Sequence, residues 1–177
     1  YFSKACLDAM VTMDWIPNVI QCNDWQTALV PTFLKARYSS LFPGTKCMFT
    51  IHNVEYQGWA YGDFFDDVLA LPWEYRPCLD MNGAVNMMKG AIETADMVTT
   101  VSETYSKELM YPYYAHGLDS VLSGNAWKLT GITNEAVQER GISKAQLCAD
   151  IARMIEGNTL LLAYNAHFDL SFLFYLL

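Results

Sequence analysis

The chain has 177 residues, of which 53% are hydrophobic and 17% are charged, and its formal net charge is −8. This composition is typical of a globular protein with enough apolar material for a core, and it excludes an intrinsically disordered chain. The negative charge argues against broad electrostatic binding of nucleic acid, although backbone donors can still bind a small anionic substrate.

Cysteine spacing and the absence of targeting signals predict where the protein works. The five cysteines are widely spaced and include no C-x-x-C pair, which favours reduced thiols in a cytoplasmic protein over a disulfide framework or structural zinc. The sequence shows no signal peptide and no apolar run of the roughly 20 residues that a membrane span needs. We therefore expect no contact with a membrane.

Apolar residues at helical spacing predict a first helix over residues 2–14. A short apolar strand follows at residues 19–22. Asp24 is then expected to cap a helix that runs to about Tyr38, and Pro31 is expected to kink or restart that helix.

Residues 47–51 predict a second strand, because they are almost continuously apolar. A helix is expected before the Leu-Pro-Trp segment at 71–73, and another over residues 83–95. Residues 97–101 predict a third strand, and Ser102 is expected to cap the helix after it.

Strands that alternate with helices predict an α/β fold with a parallel sheet covered by helices on both faces. Ligands bind beyond the carboxyl ends of the strands in such sheets. Each predicted strand ends in polar and aromatic residues, which predicts a small-molecule crevice without identifying the ligand. These ends are Asn23-Asp24-Trp25-Gln26, the segment from His52 to Gly58, and Ser102-Glu103-Thr104.

An ordered series of short segments carries a family resemblance. The segments are Asn23-Asp24-Trp25-Gln26-Thr27-Ala28, Phe49-Thr50-Ile51-His52-Asn53, Tyr56-Gln57-Gly58, Leu71-Pro72-Trp73-Glu74-Tyr75, Thr99-Thr100-Val101-Ser102, Tyr114-Ala115-His116-Gly117-Leu118-Asp119 and Lys128-Leu129-Thr130-Gly131-Ile132. In this order and spacing they resemble bacterial glycogen (starch) synthases, the retaining ADP-glucose transferases with two Rossmann-like domains in the GT-B architecture. The resemblance covers residues 1 to about 134.

The resemblance implies the N-terminal half of a GT-B glucosyltransferase, which moves glucose from ADP-glucose to the non-reducing end of an α-1,4-glucan without a cofactor. It implies that His52 is the catalytic residue, placed near the scissile bond, where its carbonyl or imidazole steadies an oxocarbenium-like sugar. Asn53 would hold sugar hydroxyls. The remaining substrate-binding residues that it implies are Asp24, Trp25 and Gln26 on the acceptor side, with Tyr56 and Gln57 shaping the wall.

Simpler interpretations exist for each of these residues. His52 is equally compatible with a buried histidine that bonds a backbone carbonyl, and Asp24 with a helix cap. Trp25 is compatible with a core anchor and Tyr56-Gln57-Gly58 with an ordinary turn.

The sequence departs from the family in three ways. Many relatives have histidine where Asn23 stands, the expected opening strand with its Lys-x-Gly-Gly-Leu loop is absent, and so is the C-terminal GT-B domain. Both chain ends also look cut. We therefore expect a fragment that is inactive alone, because transfer needs both walls of the cleft, and that aggregates through an exposed sheet edge.

Residues 135–177 resemble a different family, the proofreading exonucleases of the DNA polymerase III epsilon type. Asn165-Ala166-His167-Phe168-Asp169 follows an apolar stretch, as in the second acidic motif of that family. Asp169 would bind Mg or Mn, but a single carboxylate does not build a two-metal site. We therefore predict two domains, 1–134 and 135–177. A metal-dependent 3′-5′ exonuclease acting on nucleic acid, and a non-catalytic fused remnant, are the alternatives to the transferase.

Overall fold

The structure is a computed structural model that describes residues 1–131 together with positions 146 and 149. The chain divides into two units, Tyr1–Thr133 and Asn134–Leu177, and the description below concerns the first. The assignment of residues 135–177 to a second family stays a prediction.

The described residues contain seven strands: β1 (Val19–Asn23), β2 (Lys46–Ile51), β3 (Trp59–Ala60), β4 (Asp80–Met81), β5 (Ala84–Asn86), β6 (Met97–Thr100) and β7 (Leu129–Gly131). Four of them form a fully parallel sheet in the order β1-β2-β6-β7. The other three form a small antiparallel sheet in the order β3-β5-β4. The predicted α/β class with a parallel sheet is confirmed, whereas β7 and the small sheet were not predicted.

The same residues contain eight α-helices: α1 (Phe2–Thr12), α2 (Asp24–Thr27), α3 (Leu29–Ala36), α4 (Arg76–Leu79), α5 (Met87–Thr94), α6 (Glu103–Glu108), α7 (Pro112–Ala115) and α8 (Asp119–Gly124). Two 3-10 turns lie at Trp73–Tyr75 and Ala126–Lys128. Within this described part of the chain, no helix is long and apolar enough to cross a membrane.

Burial follows the position of each strand in the sheet. Cys47, Phe49 and Ile51 of the inner strand β2 are all buried, while β1 at the edge alternates buried and exposed residues. Helices α3 and α5 pack closely because α5 carries Gly90, where a Cβ would lie 3.2 Å from the Thr32 hydroxyl of α3. A core of buried side chains thus fixes the sheet and its flanking helices.

One predicted helix begins later than expected because a hairpin precedes it. The helix predicted over residues 83–95 starts only at Met87, and β4 and β5 form the hairpin before it. Asn82 and Gly83 at its tip have φ angles of 56° and 81°, which is the backbone of a type I′ turn. A right-handed helix cannot include these two residues.

Two other predicted helices differ in form. The helix after β1 is divided, since α2 ends at Thr27 and α3 begins at Leu29. Pro31 lies in the first turn of α3, where its missing N–H removes no intrahelical hydrogen bond, so the predicted restart is confirmed. The helix expected before residue 71 is a short π-helical turn, Phe65–Leu69.

Candidate functional site

The carboxyl ends of β1, β2 and β6 meet at one edge of the parallel sheet. The register pairs Asn23 with Thr50 and Ile51 with Thr100, so the residues that follow the three strands stand side by side. The predicted convergence of the three strand ends is therefore confirmed. What these ends do depends on the side chains described next.

Asp24 joins the ends of β1 and β2. Its Oδ1 atom accepts hydrogen bonds from the backbone N–H of His52 at 2.8 Å and from that of Asn53 at 3.3 Å. The prediction that Asp24 caps the following helix is wrong, because α2 has no side-chain cap bond and the carboxylate turns toward β2 instead. Asp24 has a φ of 54°, in the left-handed region that aspartate tolerates better than most residues.

His52 is exposed at the end of β2, so the alternative of a buried histidine is wrong. Its Nε2 atom lies 3.1 Å from Oδ1 of Asn23. Because an amide oxygen only accepts hydrogen bonds, Nε2 is the donor in this arrangement. Asn23, at the position where many relatives carry histidine, thus fixes the His52 ring.

The segment of residues 52–58, called the site loop below, is held from beneath and open above. Val54 is buried and donates its N–H to the Tyr105 hydroxyl at 3.1 Å. Gln57 is only 2% exposed, whereas Tyr56 is 61% exposed. Buried residues therefore anchor the loop, while Asn53 and Tyr56 face solvent.

Two adjoining hollows lie beside the site loop and share Trp25 and Tyr56. The first, of about 260 Å³, is lined by Asp24, Trp25, Gln26, Asn53 and Tyr56. The second, of about 280 Å³, is lined by Trp25, Glu55, Tyr56, Gln57, Gly58 and Trp59. The structure thus gathers five of the predicted site residues in one cavity, and Gln57 lines only the second. His52 adjoins the first cavity through Asp24 without lining it.

Gly58 lets the site loop approach Trp25. It has a φ of 71°, and a Cβ there would lie 2.9 Å from Cε3 of Trp25 and 3.1 Å from Cβ of Met87. Trp25 packs against the core as well as lining both hollows, so the anchor interpretation and the site interpretation both apply to it. Glycine at position 58 therefore sets the shape of the wall.

The third strand end contributes through the helix that follows it. The predicted cap is confirmed, because Oγ of Ser102 accepts a hydrogen bond from the N–H of Tyr105 at 3.0 Å. Burial raises the pKa of the Tyr105 phenol above its ordinary value. Tyr105 was not predicted to serve the site. Its place in the first turn of a capped helix at a strand end is the signal that points to it.

The metal prediction falls on residues outside the described part of the chain. Asp169, the ligand expected under the exonuclease hypothesis, belongs to the segment that the structure does not describe. Among the described residues, no three His, Cys, Asp or Glu side chains are grouped to hold a metal ion. The exonuclease hypothesis stays a prediction.

A parallel sheet whose polar strand ends border an open cavity defines an α/β protein with a ligand site at the carboxyl edge of its sheet. The family model described as "Starch synthase catalytic domain" matches residues 1–124. The chain belongs to this family.

Individual relatives agree with the family. The glycogen synthase of Desulfitobacterium hafniense is 44% identical over 139 residues, covering 76% of this chain and 30% of the relative. That of Clostridium beijerinckii is 30% identical, covering 92% of this chain and 40% of the relative. The catalytic domain of starch synthase IV from Arabidopsis thaliana, bound to ADP and acarbose, superposes with a TM-score of 0.67 at 36% identity, over 76% of this chain and 28% of that one. The chain spans about 30% of the length of most of the glycogen synthases it matches.

Proposed function

We propose that this chain forms one wall of a cytoplasmic glucosyltransferase of the starch and glycogen synthase type, which transfers glucose from ADP-glucose to the non-reducing end of an α-1,4-glucan. The observation that carries the proposal is the contact between Asp24 and the backbone of His52 at 2.8 Å. It joins two neighbouring strand ends beside the cavity, in a chain that belongs to the family by sequence.

The chemistry of the wall suits a sugar acceptor. An exposed tyrosine, a partly exposed tryptophan and an asparagine side chain line the same cavity. Aromatic rings offer apolar faces on which a sugar ring packs, and amides and carboxylates bond its hydroxyl groups. We assign Trp25 and Tyr56 to the ring faces, and Asn53 and Gln26 to the hydroxyl groups.

His52 is proposed to act on the transferred glucose. Its ring is held by Asn23 and its backbone N–H by Asp24, so its carbonyl and imidazole are fixed before a substrate arrives. A pre-oriented dipole stabilises the positive charge that develops on the sugar, because it needs no reorganisation during the reaction.

The opposite wall is proposed to come from the C-terminal domain of the GT-B architecture. The described cavity is lined by five residues of one domain, and none of them is a lysine or arginine that would neutralise a diphosphate leaving group. Turnover therefore needs basic groups from elsewhere as well as the exclusion of water. For the 177-residue chain alone we expect glucan binding without measurable transfer.

Calorimetric titration of the full chain with maltoheptaose tests this proposal. We expect saturable binding, which Tyr56→Ala weakens about two- to tenfold through loss of aromatic contact. Tyr113→Ala is the matched control, since Tyr113 is an exposed tyrosine outside both hollows. Absence of binding to the folded wild-type chain, or equal loss in both variants, contradicts the proposal.

A further inference from the structure

A buried asparagine connects the site loop to the helix behind it. Asn86, the last residue of β5, is fully buried, and its Oδ1 accepts the Lys89 N–H at 2.9 Å, which caps α5. Its Nδ2 donates to Oε1 of Gln57 at 2.6 Å. One side chain thus serves a helix N-terminus and a residue of the site loop at the same time.

Gln57 passes the contact onward. Its Nε2 donates to the backbone carbonyls of Val54 at 3.0 Å and His116 at 3.1 Å. The first bond closes a turn within the site loop, and the second ties the loop to the residue that ends α7. Gln57 is almost completely buried, so the wall residue predicted from the sequence braces the loop from behind.

The direction of both side-chain amides is fixed by the backbone. The Lys89 N–H can only donate, which requires the Asn86 oxygen to face it and leaves the Asn86 NH₂ to face Gln57. The carbonyls of Val54 and His116 can only accept, which requires the Gln57 NH₂ to face them. Flipping either amide would set two donors or two acceptors against each other in a buried site.

The backbone supports the same attachment. The N–H of Met87 donates to the Gly58 carbonyl and that of Met88 to the Gln57 carbonyl, each at 2.9 Å. The loop therefore ends on the first turn of α5, whose free N–H groups it satisfies. Its other end hangs on Asp24, so the orientation of His52, Asn53 and Tyr56 depends on both attachments.

We propose that Asn86 is a positioning residue that holds the site loop in its ligand-binding conformation through Gln57. The proposal rests on the proposed function, since the loop carries the glucan and glucose contacts assigned above. It adds a residue that touches no substrate and whose effect is transmitted through one side-chain amide.

The test compares Asn86→Ser with wild type in the full chain, by amide hydrogen exchange and maltoheptaose titration. A serine hydroxyl caps a helix as well as asparagine does but is too short to reach Gln57. We expect the hydrogen-bonded amides of residues 52–55 to exchange about tenfold faster, those of α5 and β2 to be unchanged, and affinity to fall about three- to tenfold. Asn125→Ser is the control, because Asn125 donates to the Val121 carbonyl at the end of α8.

Each outcome decides a separate point. If wild type binds and Asn86→Ser matches Asn125→Ser in loop exchange and affinity, the positioning role is overturned. If exchange rises throughout the chain, Asn86 has only a general structural role. If wild type binds no maltoheptaose, the proposed function fails, while loop exchange still judges the positioning role. Gln57→Leu attacks the same contact with the cap intact, and failure of both variants to fold also overturns a local role.

Discussion

Tyr105 ties the end of one strand to the loop that follows its neighbour. Its hydroxyl accepts the N–H of Val54, a residue 51 positions earlier in the chain, and Ser102 holds its own N–H. A single phenol oxygen therefore supports the site loop from the side of β6. Removing it leaves a largely buried backbone N–H without its partner.

We expect Tyr105→Phe to lower the free energy of unfolding by about 1 kcal/mol, the usual net value of one such hydrogen bond. The Val54 amide should also exchange faster with solvent. Urea unfolding and hydrogen exchange measure the two effects. Tyr113→Phe, at an exposed tyrosine, should change stability by less than about 0.5 kcal/mol. Equal effects of the two substitutions would show that the Tyr105 hydroxyl does not support the loop.

Asp96 makes part of the stability depend on acid. Its carboxylate accepts the Cys47 N–H at 2.9 Å and lies 3.4 Å from Nζ of Lys46. Burial by itself would raise the pKa of Asp96, but this N–H bond and the charges of Lys35 and Lys46 outweigh it and hold the pKa below its ordinary value of 3.8. A lowered folded pKa means stability that is present above pH 3.8 and lost as the pH falls through the folded pKa.

Asp96→Asn removes this dependence while it keeps an oxygen for the Cys47 N–H. The free energy of unfolding of wild type should exceed that of the variant by less than about 1 kcal/mol above pH 3.8, since Asp96 is partly exposed. The difference should shrink as the pH is lowered further. Urea unfolding over a pH series measures it, and a difference that grows on acidification would refute this account.

At the scale of the element, two left-handed glycines with different surroundings form a natural pair. Gly58 and Gly83 have φ angles of 71° and 81°, so a side chain at either position strains the backbone. A Cβ at Gly83 would meet nothing within 4 Å, whereas one at Gly58 would press on Trp25. The difference between the two isolates the contact between loop and tryptophan.

Gly83→Ala should destabilise by about 1–2 kcal/mol, the backbone term alone. Gly58→Ala should cost about 1–3 kcal/mol more, because Trp25 must move, and it should also weaken maltoheptaose binding. Urea unfolding and calorimetry measure both variants. Identical stability losses, with affinity unchanged in Gly58→Ala, would mean that Gly58 does not shape the wall.

The elements that the sequence predicts best are those with long apolar periodicity. Strands β1, β2 and β6 and helix α1 follow directly from it. The hairpin was missed because the apolar spacing of α5 extends back into β5, although the Asn82-Gly83 dipeptide is a strong turn signal. The role of Asp24 was misjudged because a helix cap is a local rule, while its actual partners lie on the next strand.

At the scale of the whole molecule, the site is built from distant parts of the chain. Parallel pairing brings together residues 28 positions apart at Asp24 and His52, and 59 apart at Gln57 and His116. The rule for ligand sites in parallel sheets predicts which strand ends meet. It does not predict which side chains brace the meeting point, because Asn86 and Tyr105 act from elements that carry no binding motif of their own.

The central claim is that neighbouring strand ends converge to form half of a sugar-binding cleft around His52 and Asp24. A nuclear magnetic resonance titration of the full chain with maltoheptaose tests it most directly, because each backbone amide reports separately. The account predicts saturable shifts concentrated at residues 24–26 and 52–57, with little change in β7 and α8. Saturable shifts elsewhere, with those two segments unaffected, would contradict it.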